Sequence, residues 1–286
     1  MSAAHPLPTT VLVTGATDGI GRATAMELSR RGVRVLVHGR RAEKVDRTVT
    51  EVAGVAAGAG VPPPAGLVAD FASLAEVRRL SAEVGRHTAH LDVVVHNAGV
   101  YRTSRHLTMD GFEETLAVNH LAPFALTYGL RGLLRASAPA RVVTVASVAH
   151  LRGRIHLDDL NLEHGWEDPD DPRSGYTAYA QSKLANVMFA LALARRWRDD
   201  GVASLAVHPG VVSTKLLRTG FGITGTDAVH GAATSVWAAT APELEGVTGA
   251  YLSESSIVES SRASHDQGVQ EALWSASARM VGIDWP

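Results

Sequence analysis

Short runs of β-branched and aliphatic residues alternate along most of the chain with longer stretches of helix-forming composition. Thr10 to Val13 is the first such run. It passes through a glycine-rich turn into Arg22 to Arg31, whose Ala, Met, Glu, Leu and Arg content favours a helix. The unit then repeats. Val33 to His38 predicts a strand, Ala42 to Ala57 a helix, and Gly66 to Ala69 a strand after the breaker Pro62-Pro63-Pro64. Leu74 to Val84 predicts a helix and Leu91 to His96 a fourth strand. Asp110 to Arg135 predicts one long helix containing Pro123, Arg141 to Ala146 a fifth strand, Tyr176 to Arg198 a helix, and Val202 to Val207 a sixth strand.

Aliphatic strands separated by helices define a parallel sheet covered on both faces. The expected fold is therefore α/β, a single-domain doubly wound Rossmann fold with a mostly parallel sheet and a core of about residues 10–252. Two segments break the rhythm. Residues 150–174 form an insertion rich in Asp, Glu, Pro and Gly, and residues 209–226, rich in Gly and Thr, are expected to be a mobile lid over a substrate. The Ala/Gly-rich stretch 53–60 reads as a frayed helix end.

Composition narrows the function. The chain has 286 residues, 27 Lys+Arg against 29 Asp+Glu, and 45% hydrophobic residues, so it carries a full core and no charge excess suited to nucleic acid. The absence of cysteine excludes disulfides, thiolate catalysis and Cys-bound zinc. The histidines and the acidic insertion show no metal-ligand spacing, so no metal is expected. No run approaches the ~18 apolar residues of a membrane helix, and no secretory signal opens the chain, so a cytoplasmic location without membrane attachment is expected. Only three lysines occur, Lys44, Lys183 and Lys215, which makes each of them conspicuous.

Thr14-Gly15-Ala16-Thr17-Asp18-Gly19-Ile20-Gly21 places three glycines between the first strand and first helix. Glycine there permits a tight turn, lets backbone N–H groups approach a pyrophosphate, and packs helix on strand. The candidate dinucleotide-binding residues are Gly15, Thr17, Asp18, Gly19, Ile20 and Gly21. A carboxylate at the end of the second strand would bond an adenine-ribose hydroxyl and repel a 2′-phosphate. His38-Gly39-Arg40-Arg41 stands there instead, and the fork of Arg40 suits a phosphate, so NADP(H) is expected over NAD(H). Arg22 is a further candidate cation.

Tyr179-Ala180-Gln181-Ser182-Lys183 sets a tyrosine and a lysine four apart in a helical segment, so both emerge on one face. An ammonium beside a phenol favours the phenolate, drawing an ordinary pKa near ~10 toward working pH. Ser147 follows the fifth strand, at the C-terminal edge of the sheet where ligands bind in such folds, and its hydroxyl can hold a substrate oxygen. Asn119 lies inside the long predicted helix, where asparagine is unfavourable.

The glycine spacing, Asn119, Ser147, Tyr179 and Lys183 together resemble the short-chain dehydrogenase/reductase family over about Thr10 to Tyr251. Ala146-Ser147-Val148-Ala149-His150, Gly153-Arg154-Ile155 and Ser182-Lys183-Leu184-Ala185-Asn186 are similar to its retinol dehydrogenase and protochlorophyllide reductase branch, as is the long insertion between serine and tyrosine. The resemblance implies that Asp70, followed by Phe71, contacts adenine, and that Asn97, Ala98 and Gly99 line the cofactor cleft. It further implies that Lys183 reaches the nicotinamide ribose and that Asn119, at a helix distortion, bonds a water in a proton relay. Within His208-Pro209-Gly210-Val211-Val212-Ser213-Thr214, it implies that Pro209, Gly210 and Val212 turn the chain over the nicotinamide, and that Val211 and Thr214 meet the carboxamide. Many NADP-preferring members carry a base where this chain has Asp18. Membrane-bound members carry anchors not seen here. Pairing through the helices of Asn119 and Tyr179 into a dimer or tetramer is a family expectation.

The sequence thus implies an NADP(H)-dependent oxidoreductase interconverting a carbonyl and an alcohol on a small or medium apolar substrate. Asn119, Ser147, Tyr179 and Lys183 are its catalytic residues. Two alternatives keep the same fold: a catalytically silent dinucleotide-sensing protein and a C=C reductase.

Overall fold

Successive residues of a strand point to opposite faces of a sheet, and here both sets are apolar. In the computed structural model, which describes residues 9–56, 60–164, 166, 175–221 and 224–286, Leu12, Leu36, Val94 and Val142 belong to one buried cluster. Their neighbours Val11, Val13, Val35, Val37, Val93, Val95 and Val143 belong to another. The sheet therefore buries two cores. The strands are β1 (Thr10–Val13), β2 (Arg34–Gly39), β3 (Ala65–Val68), β4 (Val93–His96), β5 (Ala140–Val145), β6 (Val202–His208), β7 (Ala250–Ser253) and β8 (Ser256–Val258), in the order β3-β2-β1-β4-β5-β6-β7-β8. All neighbours run parallel except β7 and β8.

The helices are α1 (Gly19–Arg30), α2 (Ala42–Ala56), α3 (Leu74–His87), α4 (Glu114–Leu116), α5 (Ala122–Ala136), α6 (Gly175–Arg196), α7 (Lys215–Phe221), α8 (Ala228–Thr240) and α9 (Gln267–Val281). Residues of α3, α5, α6 and α9 fill the first core, and those of α1, α2 and α8 fill the second. This is the doubly wound α/β architecture expected from the sequence. The strand order reverses between β1 and β4, and ligands of such sheets bind outside the carboxyl ends of the strands at that reversal.

The long helix expected from Asp110 is not continuous. The carboxylate of Asp110 accepts the Leu74 N–H at 2.8 Å instead. The helical run begins after Glu113, whose fully buried carboxylate accepts the N–H groups of Thr115 and Leu116 at 2.8 and 2.7 Å and so caps it. After α4 the chain widens into a π-helical turn, Ala117–Leu121, and tightens again as α5. Pro123 accounts for the irregularity. An α-helix would require its N–H to donate to the Asn119 carbonyl, and proline has none.

The segment 209–226, expected to be a mobile lid over a substrate, contains α7 and is tied at its base. Thr226 N–H donates to Val211 and Ser213 N–H to Thr226, each at 2.8 Å. The first helix starts at Gly19 rather than Arg22, because Asp18 caps it. Expectations placed on residues 57–59, 165, 167–174 and 222–223 lie outside the described residues, as do those on the first eight.

Candidate active site

The turn after β1 is held by contacts that leave no room for side chains. Gly15 has φ +63°, and a Cβ on it would stand 2.7 Å from the Ala98 Cα. A Cβ on Gly21 would stand 2.3 Å from both the Asn97 amide nitrogen and the Gly15 carbonyl oxygen. Asn97 donates that amide to the carbonyls of Thr14 and Gly15 at 2.9 and 3.2 Å. The Thr14 hydroxyl oxygen accepts from the N–H groups of Asn97 and Ala98 at 3.0 and 3.1 Å. The glycine turn and the end of β4 are thereby one rigid unit. Ile20 and Gly21, in the first turn of α1, have N–H groups with no intrahelical acceptor, and both residues line the cleft above.

His38 is part of this unit and was not singled out from the sequence. Its Nδ1 accepts from Gly15 N–H at 3.3 Å, its Nε2–H donates to the Ala69 carbonyl at 3.0 Å, and its ring stacks on Phe71 at 4.5 Å. Burial pushes its pKa down to about 4, which keeps the ring neutral and able to accept from Gly15.

Beyond β2, Arg40 and Arg41 are exposed and line the cleft. Lys44, in the first turn of α2, also lines it and places its Nζ 3.7 Å from the Asp18 carboxylate. The carboxylate at the position where family members carry a base is thus countered by a lysine from the neighbouring helix. With Asp70, two acids face three bases at this end. Arg22 does not join them: its guanidinium pairs with Glu51 at 2.7 Å, a bond that raises the pKa of Arg22. Asp70 accepts from Ala72 N–H at 3.0 Å, while the cap of α3 is Ser73.

At the other end, Ser147 follows β5 in extended conformation, with its hydroxyl oxygen accepting from Ala149 N–H at 3.2 Å. The buried Tyr179 hydroxyl bonds the Ser147 side chain. Lys183, also buried, places its Nζ 5.6 Å from the Tyr179 ring centre and donates to the Val145 carbonyl at 3.0 Å. The expected downward pull on the phenol is not what dominates here. Burial pushes the Tyr179 phenol up to about 12, opposed by the Ser147 bond, and the same loss of solvation brings the Lys183 ammonium down to about 8.

Asn119 lies behind this wall and not on it. Fully buried, it accepts from Val100 N–H at 2.8 Å and donates to the Val100 carbonyl at 3.0 Å and the Ser182 hydroxyl at 2.9 Å. Ser182 in turn donates to the Tyr179 carbonyl at 2.7 Å. Both amide protons of Asn119 are committed to protein acceptors, so its side chain positions α6 against the chain that follows Gly99.

A single cleft of about 630 Å³ joins the two ends. The structure places along it Gly15, Thr17, Asp18, Gly19, Ile20, Gly21, Arg40, Asp70, Phe71, Asn97, Ala98, Gly99, Ser147, Tyr179, Lys183, Pro209, Gly210, Val211, Val212 and Thr214. Other lining residues were not singled out from the sequence: Lys44, whose rarity as a lysine was the available signal, the ion pair of Arg102 and Glu114, and Tyr101, Tyr176 and His208, whereas Leu216 and Leu217 belong to the expected lid segment. Tyr101 packs on Tyr179 with ring centres 5.4 Å apart. No group of three or more His, Asp or Glu that could hold a metal occurs among the described residues, and none of their helices is long and apolar enough to cross a membrane.

A doubly wound sheet whose switch point opens onto a glycine turn, with a tyrosine and lysine across the cleft, defines a dinucleotide-binding oxidoreductase fold. The short chain dehydrogenase family model matches residues 9–158. The chain is 42% identical to a Streptomyces sp. (strain C5) protein provisionally named daunorubicin C-13 ketoreductase DnrU, covering 96% of this chain and 92% of that one. It is 38% identical to retinol dehydrogenase 14 of Mus musculus, covering 96% and 86%. Among solved structures, an uncharacterised protein from Mycobacterium paratuberculosis superposes with a TM-score of 0.79 at 32% identity, covering 99% and 98%. The Pseudomonas aeruginosa RhlG/NADP active-site complex superposes at 0.69 with 25% identity, covering 88% and 97%. The protein belongs to the short-chain dehydrogenase family, in its retinol dehydrogenase-like branch, and is an oxidoreductase of that family.

Proposed function

We propose that the protein is an NADP(H)-dependent enzyme interconverting ketones and alcohols on small or medium apolar substrates. The observation that carries this reading is the wall on which the Tyr179 hydroxyl, bonded to Ser147, and the buried Lys183 stand together, across one cleft from Arg40, Arg41 and Lys44. The cleft fits a dinucleotide. Gly15 and Gly21 allow close backbone approach, the first turn of α1 supplies N–H donors, and three bases stand where a 2′-phosphate would lie. When bound, the nicotinamide supplies or accepts the hydride.

The chain's own residues handle the oxygen and the proton. Ser147 holds the substrate oxygen, and Tyr179 gives it a proton in the reductive direction. A phenol pushed up to about 12 is protonated at neutral pH and remains a stronger acid than an alcohol, so it can serve as the proton donor when a ketone is reduced. Lys183 holds the cofactor ribose and, once its charge faces the phenol, eases release of the proton. Asn119 positions α6, and its backbone carbonyl, which Pro123 cannot satisfy, accepts the relay water. Val148, Tyr101, Tyr176, Leu216 and Leu217 line the substrate end and accommodate an apolar body. The provisional ketoreductase name of the Streptomyces relative and the NADP complex of RhlG support the same reading.

The test is consumption of NADPH with a panel of aryl and alkyl ketones. Tyr179→Phe is expected to lower kcat by about 10²- to 10⁴-fold while leaving NADPH affinity unchanged. Undiminished turnover in this variant would overturn the role given to the phenol.

A further inference from the structure

The peptide group that joins Ser147 to Val148 is gripped on both edges by histidines from different parts of the chain. On one edge, the Ser147 carbonyl accepts from Nδ1–H of His150 at 2.7 Å. On the other, the Val148 N–H donates to Nδ1 of His208 at 3.3 Å. His150 is itself anchored. Its Nε2 accepts from Ser261 N–H at 3.0 Å, and its ring packs on Tyr251 with centres 4.7 Å apart. A carbonyl can only accept and an N–H can only donate, so the two rings must be neutral and in opposite tautomers: His150 carries its proton on Nδ1, and His208 carries its proton on Nε2. Burial holds both rings neutral. It lowers the pKa of His150, and together with the nearby His150 and Lys183 it pushes His208 down to about 4, against the opposing pull of Glu254.

We propose that His150 and His208 are positioning residues that fix the plane of the Ser147–Val148 peptide group and thereby aim the Ser147 hydroxyl at Tyr179. Ser147 is extended and the chain turns immediately after it. Rotation of that peptide plane therefore swings the residue whose hydroxyl bonds Tyr179. His208 also begins the Pro209-Gly210 turn over the cleft, so one ring couples the serine to the segment that covers the cofactor end. The inference rests on the reading that Ser147 holds the substrate oxygen. Displacements of about 1 Å in such a constellation cost on the order of a hundredfold in rate.

Two measurements on the full chain test it. Nitrogen-15 NMR of the histidine-labelled protein at neutral pH is expected to show His150 as the Nδ1–H tautomer and His208 as the Nε2–H tautomer. The same tautomer in both, or a cationic ring in either, overturns the proposal without reference to activity. In kinetics with NADPH and the best ketone of the panel, His208→Leu and His150→Leu are expected to lower kcat by about ten- to a hundredfold, with the KM for NADPH within about twofold. His208→Asn, whose amide oxygen can accept from Val148, and His150→Asn, whose amide can donate to Ser147, are expected to recover most of kcat. Equal loss in the Leu and Asn variants, or loss confined to KM, overturns it. Ser147→Ala separates the two claims. Full kcat in that variant defeats the role of the serine, while a loss there with unimpaired Leu variants defeats only the histidines. If a Leu variant does not fold, the tautomer pair in the unmodified protein decides.

Discussion

Lys183 donates from Nζ to the carbonyl of Val145 at 3.0 Å, joining the helix that carries Tyr179 to the last residue of the strand that leads to Ser147. Asn186, nearly one turn further along α6, donates to the same oxygen at 3.2 Å. One carbonyl at the end of β5 thus fixes the height of α6 above the sheet. Among the described residues no carboxylate pairs with the Lys183 ammonium, and desolvation lowers its pKa from 10.5 to about 8.

This has a consequence for stability against pH. Between about 8 and 10.5 the unfolded chain holds the Lys183 proton and the folded chain does not, so the folded state gains relative stability as pH rises through that window. Below it both forms are protonated and the cost of the buried charge is fully present. Lys183→Met removes the cost, and is expected to stabilise the protein near neutral pH by up to about 3 kcal/mol and to flatten that rise. Urea unfolding at a series of pH values measures both. An unchanged slope in the variant would contradict the burial of the charge.

Under the proposed function, cofactor preference depends on a balance of charges at the mouth of the cleft. Arg40→Leu is expected to raise the KM for NADPH by about ten- to a hundredfold, the value of one charge-assisted contact, with little effect on NADH. Asp18, exposed, and Lys44, half-buried, form a pair whose members act oppositely on a phosphate. Asp18→Asn should tighten NADPH binding and Lys44→Ala should weaken it. Steady-state kinetics with both nicotinamides check the set, and a Lys44→Ala variant that binds NADPH as well as the parent would remove the lysine from the site.

Asn119 offers a test of positioning against direct chemistry. Its three side-chain hydrogen bonds are all internal, so Asn119→Ala takes away the partner of both the N–H and the C=O of Val100, a partly buried residue at the cleft wall. A loss of about 2–4 kcal/mol is expected in denaturant unfolding. Stability within about half a kcal/mol of the parent would show that the bonds to Val100 and Ser182 contribute little.

The parts of the fold that were legible in the sequence are those set by a repeating pattern. Alternating aliphatic strands such as Val93 to Val95, backed by helices, lead to the observed parallel sheet because each residue's face is fixed by its position parity. The glycine turn was legible because Gly15 and Gly21 occupy places where a side chain collides with Ala98 and Asn97. Features that depend on partners distant in sequence were not legible. Pairing of Arg22 with Glu51, the lysine that answers Asp18, and the ring of His38 under Gly15 all require knowing which helix or strand lies alongside. The π-helical turn at Asn119 combines both cases: Pro123 was visible as an obstacle, but a continuous helix and a widened one share the same apolar pattern.

α6 is buried without a break from Ala178 to Ala194, enclosed by the sheet, α9 and the residues before it. Tyr179 is therefore cast into the scaffold, whereas Leu216 and Leu217 belong to a short, separately tied excursion beyond β6. Under the proposed function, evolution or a protein engineer can exchange that excursion for one with a different shape and redirect the enzyme to a new carbonyl compound, with the acid that protonates it left untouched.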